Sequence, residues 1–342
     1  MSSSTVSSSK QLHAWLDRSL AFPPEYGQQL SSHLPMALQA LHSLGADEVR
    51  IENFFASYTE RFEGRRSPGE GRVLPDWQAA LGRYEAFADL RHSFAAALAE
   101  QGRDVLLRQV LPVLLPGVSA VAFHGAIRTA HALESGHAAE LASALAYWAC
   151  RWQVLPAPAA GPASLRQQEG WSQALVDGAK SWRSEAPLIF LRMEAATQMP
   201  LYAELAHGLA PAASLEQRLA ELAHLALGYY LDSANFTVLH MITGLRALRL
   251  LLPWLPEALR SDPAVQNLLG EAFVAAYMAG RVQPRSTATA LARTEDLSWS
   301  ELAEAATQAR DDHTIKLVHA CREEMAVYGD ARYLQAAALV LR

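Results

Sequence analysis

The sequence predicts an all-α protein, a multi-helix bundle with room for two helical lobes, on three observations. Alanine and leucine dominate, and both favour helix. Runs that alternate β-branched and polar residues are scarce, so strand signals are weak. Apolar stretches of helical length are bounded by Ser, Asp or Asn in front and by Gly or Pro behind.

Residues 1–10 are Ser-rich with no apolar run, and read as a disordered tail rather than a signal peptide. Residues 35–44 read as a helix, with Ser31 or Ser32 as cap, Pro35 in its first turn and Gly45 as its stop. Residues 61–75, rich in Gly, Arg and Pro, read as a loop. Asp76 caps a helix over 77–90, and others follow over 91–100 and 103–115, the last bent or ended by Pro112 and Pro116. Helices over 118–134 and 137–152 flank Gly136. The PAPAAGP stretch, 156–162, is the clearest linker, and divides a single domain of 11–342 into sub-lobes 11–155 and 163–342. Helices are expected over 165–184 and 186–199. Ser214 and Gln217 match a capping box that opens a helix through 231. The rest are 235–252, 262–278, 298–319 (reaching 327 at its longest) and 331–341. One short echo stands out: Ile127-Arg128-x-x-His131-Ala132 against Ile315-Lys316-x-x-His319-Ala320.

Composition narrows the function classes. The chain has 342 residues, 51% hydrophobic and only 19% charged, which gives a substantial core and argues against disorder. A net charge of -6 and the lack of a basic stripe argue against a nucleic-acid partner. Two cysteines, Cys150 and Cys321, cannot build a disulfide scaffold. No run of about 18 apolar residues suggests a membrane span, and the apolar stretch 248–255 is broken by Arg249 and Pro253. The cytoplasm is the expected location.

The chemistry-bearing residues are histidines on apolar helices. His124 follows Val121-Ala122-Phe123, His240 lies between Leu239 and Met241, His33 precedes Leu34-Pro35-Met36, and His313 sits in Asp311-Asp312-His313-Thr314-Ile315-Lys316. Imidazole ligates iron, copper, nickel and zinc, and a bundle can gather ligands from facing helices without tight spacing. A lone histidine on an apolar face is more often a satisfied core residue, and for His33 or His240 taken singly that reading leads. A di-iron carboxylate site needs two Glu-x-x-His pairs and two more glutamates. The pairs Glu134/His137, Glu204/His207 and Glu221/His224 exist, but the apolar helices around His124 and His240 carry no carboxylate. HExxH and CxxC are absent. His313 and Lys316 share a helical face, and an Asp312–Lys316 surface pair is the leading reading of that stretch. The alternative is a lysine beside a dication, its depressed amine open to carbamylation by carbon dioxide.

Four segments, taken in order, resemble the questin oxidase family: Ser32-His33-Leu34-Pro35-Met36-Ala37-Leu38 with Leu44-Gly45-Ala46; Phe123-His124-Gly125-Ala126-Ile127-Arg128; His240-Met241-Ile242-Thr243 with Leu245-Arg246-Ala247-Leu248; and Asp311-Asp312-His313-Thr314-Ile315-Lys316-Leu317. The resemblance spans 33–317. It implies a helical fold and kinship with fungal enzymes that oxidise anthraquinones, some of Baeyer–Villiger type, and with bacterial members of unassigned substrate. It further implies one non-haem iron, Fe(II), on four histidines and a carbamylated lysine. Carried over, these are His33, His124, His240, His313 and Lys316, with His224 in reserve.

The expected function is a metal-dependent oxygenase that brings dioxygen to an aromatic or quinone-type small molecule; nothing in the sequence bears on NADPH or on oligomeric state. Arg128, one turn after His124, is a candidate catalytic residue that would hold an anionic substrate or the carbamate, against a structural pair with a helix carboxylate. His131 and Thr243 would orient ligands, and His319 would be core. Trp148, Trp152, Tyr229 and Tyr230 would be core or, for a flat substrate, pocket wall. The competing readings are a metal-dependent hydrolase on the same histidines and a non-enzymatic helical binding protein.

Overall fold

A chain this rich in Ala and Leu satisfies its backbone hydrogen bonds within helices and buries their apolar stripes against one another. The computed structural model describes residues 3–158, 164–285 and 291–342, and its elements are almost all helical. The α-helices are α1 (Ser3–Ser19), α2 (Leu34–Leu44), α3 (Glu48–Thr59), α4 (Phe87–Gln101), α5 (Arg103–Leu114), α6 (His124–Ser135), α7 (Ala138–Cys150), α8 (Gln168–Ala179), α9 (Ile189–Ala196), α10 (Pro200–Leu205), α11 (Leu215–Ser233), α12 (Phe236–Leu251), α13 (Glu257–Arg260), α14 (Pro263–Ala279), α15 (Trp299–Gln308), α16 (Asp312–Tyr328) and α17 (Arg332–Val340). Among the described residues the sheet is a two-stranded antiparallel hairpin, β1 (Glu25–Tyr26) and β2 (Leu30–Ser31).

Several ends follow the sequence signals. Gly45 closes α2 in the left-handed conformation, Ser214 accepts from the Gln217 amide at the start of α11, and Asn235 caps α12. Others differ. The first ten residues, read as a tail, belong to α1 from Ser3 onward. The cap of α2 is His33, which makes no capping bond through its side chain, rather than Ser31 or Ser32. The helix expected over 77–90 is instead two 3-10 turns, Gln78–Ala80 and Tyr84–Ala86, followed by the start of α4 at Phe87. The helix expected from 118 starts at His124, because Val121, Ala122 and Phe123 all adopt positive φ. The helix expected over 298–319 is two: Ala309 is extended, and Asp311 accepts from the Thr314 amide to start α16 afresh. Part of the PAPAAGP linker lies outside the described residues.

Helices from either side of that linker share one core. α2 and α6, from the first expected sub-lobe, pack on α16 and α12 from the second, and the buried apolar residues of both form a single connected cluster. Phe236–Trp254 is long and apolar enough to cross a membrane, yet 78% of that window is buried against other helices, so its apolarity serves the core.

Candidate metal centre

Four helices begin at one place. His33 is the N-cap of α2, His124 opens α6, His313 lies in the first turn of α16, and His240 lies one turn into α12. Their rings form a closed set: centroids are 4.6 Å apart for His33 and His124, 4.6 Å for His33 and His313, 5.0 Å for His124 and His240, and 5.2 Å for His240 and His313. His33, His124 and His240 are buried and His313 is largely so.

Each of the three buried rings has its tautomer fixed. His124 Nδ1 faces the carbonyl of Val121, and His240 Nδ1 lies 2.8 Å from the carbonyl of Phe236; a carbonyl only accepts, so both Nδ1 atoms carry the proton. His33 Nδ1 lies 2.6 Å from Asp312 Oδ1, and the Asp312 carboxyl is held well below the usual carboxylate range by its histidine neighbours despite burial. The Nε2 atoms are therefore bare lone pairs. His33 Nε2 and His124 Nε2 face each other at 2.7 Å. Burial, with the nearby Lys316 charge, pushes the His33 imidazole down to about 3, and burial pushes His124 and His240 well below 6.5. At neutral pH no proton joins the two nitrogens, and two lone pairs in contact repel. A cation bound to both removes the conflict, and beside that pair the donor atoms of His33, Asp312 and His313 lie within 4.8 Å of one another, so nitrogen and carboxylate donors suited to a transition metal meet here.

The turn before His124 sets its ring. Val121, Ala122 and Phe123 have φ of 44°, 56° and 69°, a run that costs L-residues free energy and turns the Val121 carbonyl onto His124. Gly244 of α12 lets this turn approach: a Cβ there would meet Phe123 Cγ at 2.9 Å.

Asp312 was visible in the sequence only as a possible partner of Lys316. It contacts His33, lies 3.0 Å from His313 Nδ1, and accepts from Arg61 at 2.8 Å. Lys316 is one turn further along α16 and 2% exposed, and burial pushes its amine down to about 8.

The other sequence candidates lie elsewhere. Arg128 turns to α7, where it donates to Glu140 at 2.7 and 2.9 Å and to Ser143 at 2.9 Å; the structural pair weighed against its catalytic role is the one formed. His224 is exposed beside Arg332 and Asp330. Thr243 donates to backbone carbonyls of its own helix, and His131 bonds Gln39. The Glu-x-x-His pairs share no centre: Glu134 pairs with Arg246, His137 with Asp17, Glu204 with Arg166, His207 with Glu271, and Glu221 with Arg218. Trp148 and Tyr230 are core, Tyr229 bonds Ser172, and Trp152 packs on Gly117.

A cavity of about 300 Å³ opens onto His33, His124, His240 and His313. Its apolar wall is Leu30, Val121, Leu188, Phe190 and Phe236, with Tyr26 and Arg192 as polar edges. Phe236 is half-exposed and lies edge-on to both His240 and His313. None of these wall residues was singled out from the sequence, because they come from separate loops and helix starts.

No curated protein matches the chain. A family model described as questin oxidase-like matches residues 30–321, the span that holds all four histidines and Lys316. The chain belongs to the questin oxidase-like family, which places it among oxidoreductases acting on aromatic compounds.

Proposed function

We propose that this protein is a non-haem iron oxygenase in which His33, His124, His240 and His313 hold Fe(II), with Lys316 as a fifth, carbamylated ligand. The observation that carries the reading is the pair of unprotonated Nε2 atoms of His33 and His124 at 2.7 Å, inside a ring of four imidazoles. Iron(II), when bound, supplies the activation of dioxygen for oxidation of an electron-rich ring.

The protein's own residues do the rest. Asp312 orients two of the imidazoles and brings one negative charge to balance the ion. The start of four helices at this point directs four positive dipole ends at the cavity, which favours anionic oxygen ligands such as a phenolate or a carbamate. Lys316, with its amine at about 8, holds an appreciable neutral fraction near physiological pH, the form that adds carbon dioxide. The apolar wall takes a flat aromatic body and limits water at the reacting face, and its volume suits a small molecule.

The test is metal analysis of protein made without chelators, joined to oxygen uptake with phenolic and quinol substrates. Iron lost in His124→Ala and His240→Ala, with helical circular dichroism kept, supports the reading. Full iron retention in those variants overturns it, and zinc in place of iron would turn the site to hydrolysis. Lys316→Met separates the carbamate: its activity should fall strongly, and wild-type activity should depend on bicarbonate.

A further inference from the structure

A second polar layer lies beneath the first. Each helix that supplies a histidine to the cavity carries a polar residue six or seven positions later: Gln39 after His33, His131 after His124, Arg246 after His240 and His319 after His313. At about 1.5 Å of rise per residue this puts the second layer roughly 9–10 Å down the four helices. All four are at least nine-tenths buried. The layer explains the echo between 127–132 and 315–320, since His131 and His319 meet there with ring centroids 5.5 Å apart.

Its donor atoms are those of a ligand set. His131 Nδ1 lies 2.5 Å from Gln39 Oε1, and the nitrogen of that amide donates to Ser43 at 2.9 Å. With the amide so placed, His131 carries its proton on Nδ1 and leaves Nε2 as an acceptor. His319 Nδ1 is buried with no hydrogen-bond partner among the described residues. Glu134, on the same helix as His131 and at the layer's outer edge, completes the group: one donor atom from each of His131, Glu134 and His319 lies within 4.8 Å of the others. Arg246 donates to Glu134.

We propose that His131, Glu134 and His319 form a second site for a divalent transition cation of the zinc type, distinct from the four-histidine site. Two imidazoles and a carboxylate suit such an ion. At about 9–10 Å the two ions would be independent, since bridged pairs sit at about 3.5–4 Å. Glu134 keeps one oxygen on Arg246 and offers the other. The Arg246 charge opposes a cation, so this site binds more weakly than the first. An ion there ties α6 to α16, the two helices that present His124 and His313 above it.

Cobalt(II) is the probe, added to the full chain after chelator treatment and followed by equilibrium dialysis and visible absorption. The expected result is two equivalents of unequal affinity. His319→Asn and Glu134→Gln should remove the weaker equivalent and leave the tighter. His240→Ala should do the reverse, so a failure of the iron reading is seen separately. Arg246→Met should tighten the weaker site about tenfold. A single equivalent in the wild-type chain overturns the proposal, and so does a second equivalent that persists in both His319→Asn and Glu134→Gln. Glu134 lies at the edge of the layer, so its variant carries the test if the buried His319 variant does not fold.

Discussion

Asp312 is the residue on which most of the centre's geometry turns. Its two oxygens serve His33, His313 and Arg61, and removing the charge frees two imidazoles at once. Asp312→Asn should weaken metal binding by roughly 10- to 100-fold with the fold intact, as read by metal titration beside circular dichroism. Unchanged affinity would reduce Asp312 to a counter-ion for Arg61. Phe236 is a cleaner probe of substrate, because the bond to His240 comes from its carbonyl and not its ring. Phe236→Ala should keep full metal and raise KM several-fold for an aromatic substrate, and an unmoved KM would remove the ring from the binding surface. The four histidines were grouped in the sequence by the family resemblance, since an imidazole on an apolar face taken singly reads as core. Asp312 was not legible as part of the site, because its neighbour Asp311 carries the helix-cap signal and adjacent acids look alike. The carboxylate that pairs with Arg128 could not be named in advance, because Glu140 sits on the following helix, where spacing is silent.

At the scale of elements, close approach of backbones fixes where each histidine is held. A Cβ on Gly125 would lie 2.5 Å from Trp148 Cγ, so α6 meets α7 only with glycine there. Gly125→Ala should cost roughly 1–3 kcal/mol of stability in chemical denaturation and, by shifting the adjacent His124, weaken metal binding as well. A variant as stable as wild type would show that Trp148 can give way. Helix content was readable from composition, and several ends from Gly45, Ser214 and Asn235. The starts of α6 and α16 were not. A left-handed turn made of Val, Ala and Phe has no compositional mark, and no Gly or Pro marks the break at Ala309, where the cap Asp311 is followed by a second acid. These two misread ends are the two that aim His124 and His313. Helix α3 carries its cap at Asp47 and was passed over in the sequence.

For the molecule as a whole, buried neutral imidazoles make stability depend on pH. Burial lowers His33, His124, His131, His240 and His319 from the ordinary 6.5. These groups stay neutral when folded and take up protons when unfolded, so below about pH 6.5 the unfolded chain binds more protons and stability falls as pH falls. Each contributes about 1.4 kcal/mol per pH unit in that window and nothing above about pH 7.5. In chelated protein, the urea midpoint should hold steady from about pH 8.5 to 7.5 apart from the Lys316 amine, and drop steeply between about pH 6.5 and 5.5. Lys316 acts in the same sense at higher pH: its folded value of about 8 lies below 10.5, so the cost of burying its charge is present below pH 8 and relieved as pH rises through 8 to 10.5. A midpoint insensitive to acid would mean that these rings are not buried in the free protein.

The contact between His33 and Asp312 joins residues 279 positions apart. Closing so long a loop gives up chain entropy before any local reward is gained, and contacts of this span form late in folding. Under the proposed function, ion capture by the four rings would therefore report that nearly the whole polypeptide has reached its final arrangement. A nascent or clipped chain that lacks α16 loses His313, Asp312 and Lys316 together, so under the proposed function it would keep three of the four imidazoles and bind an ion more weakly than the finished chain.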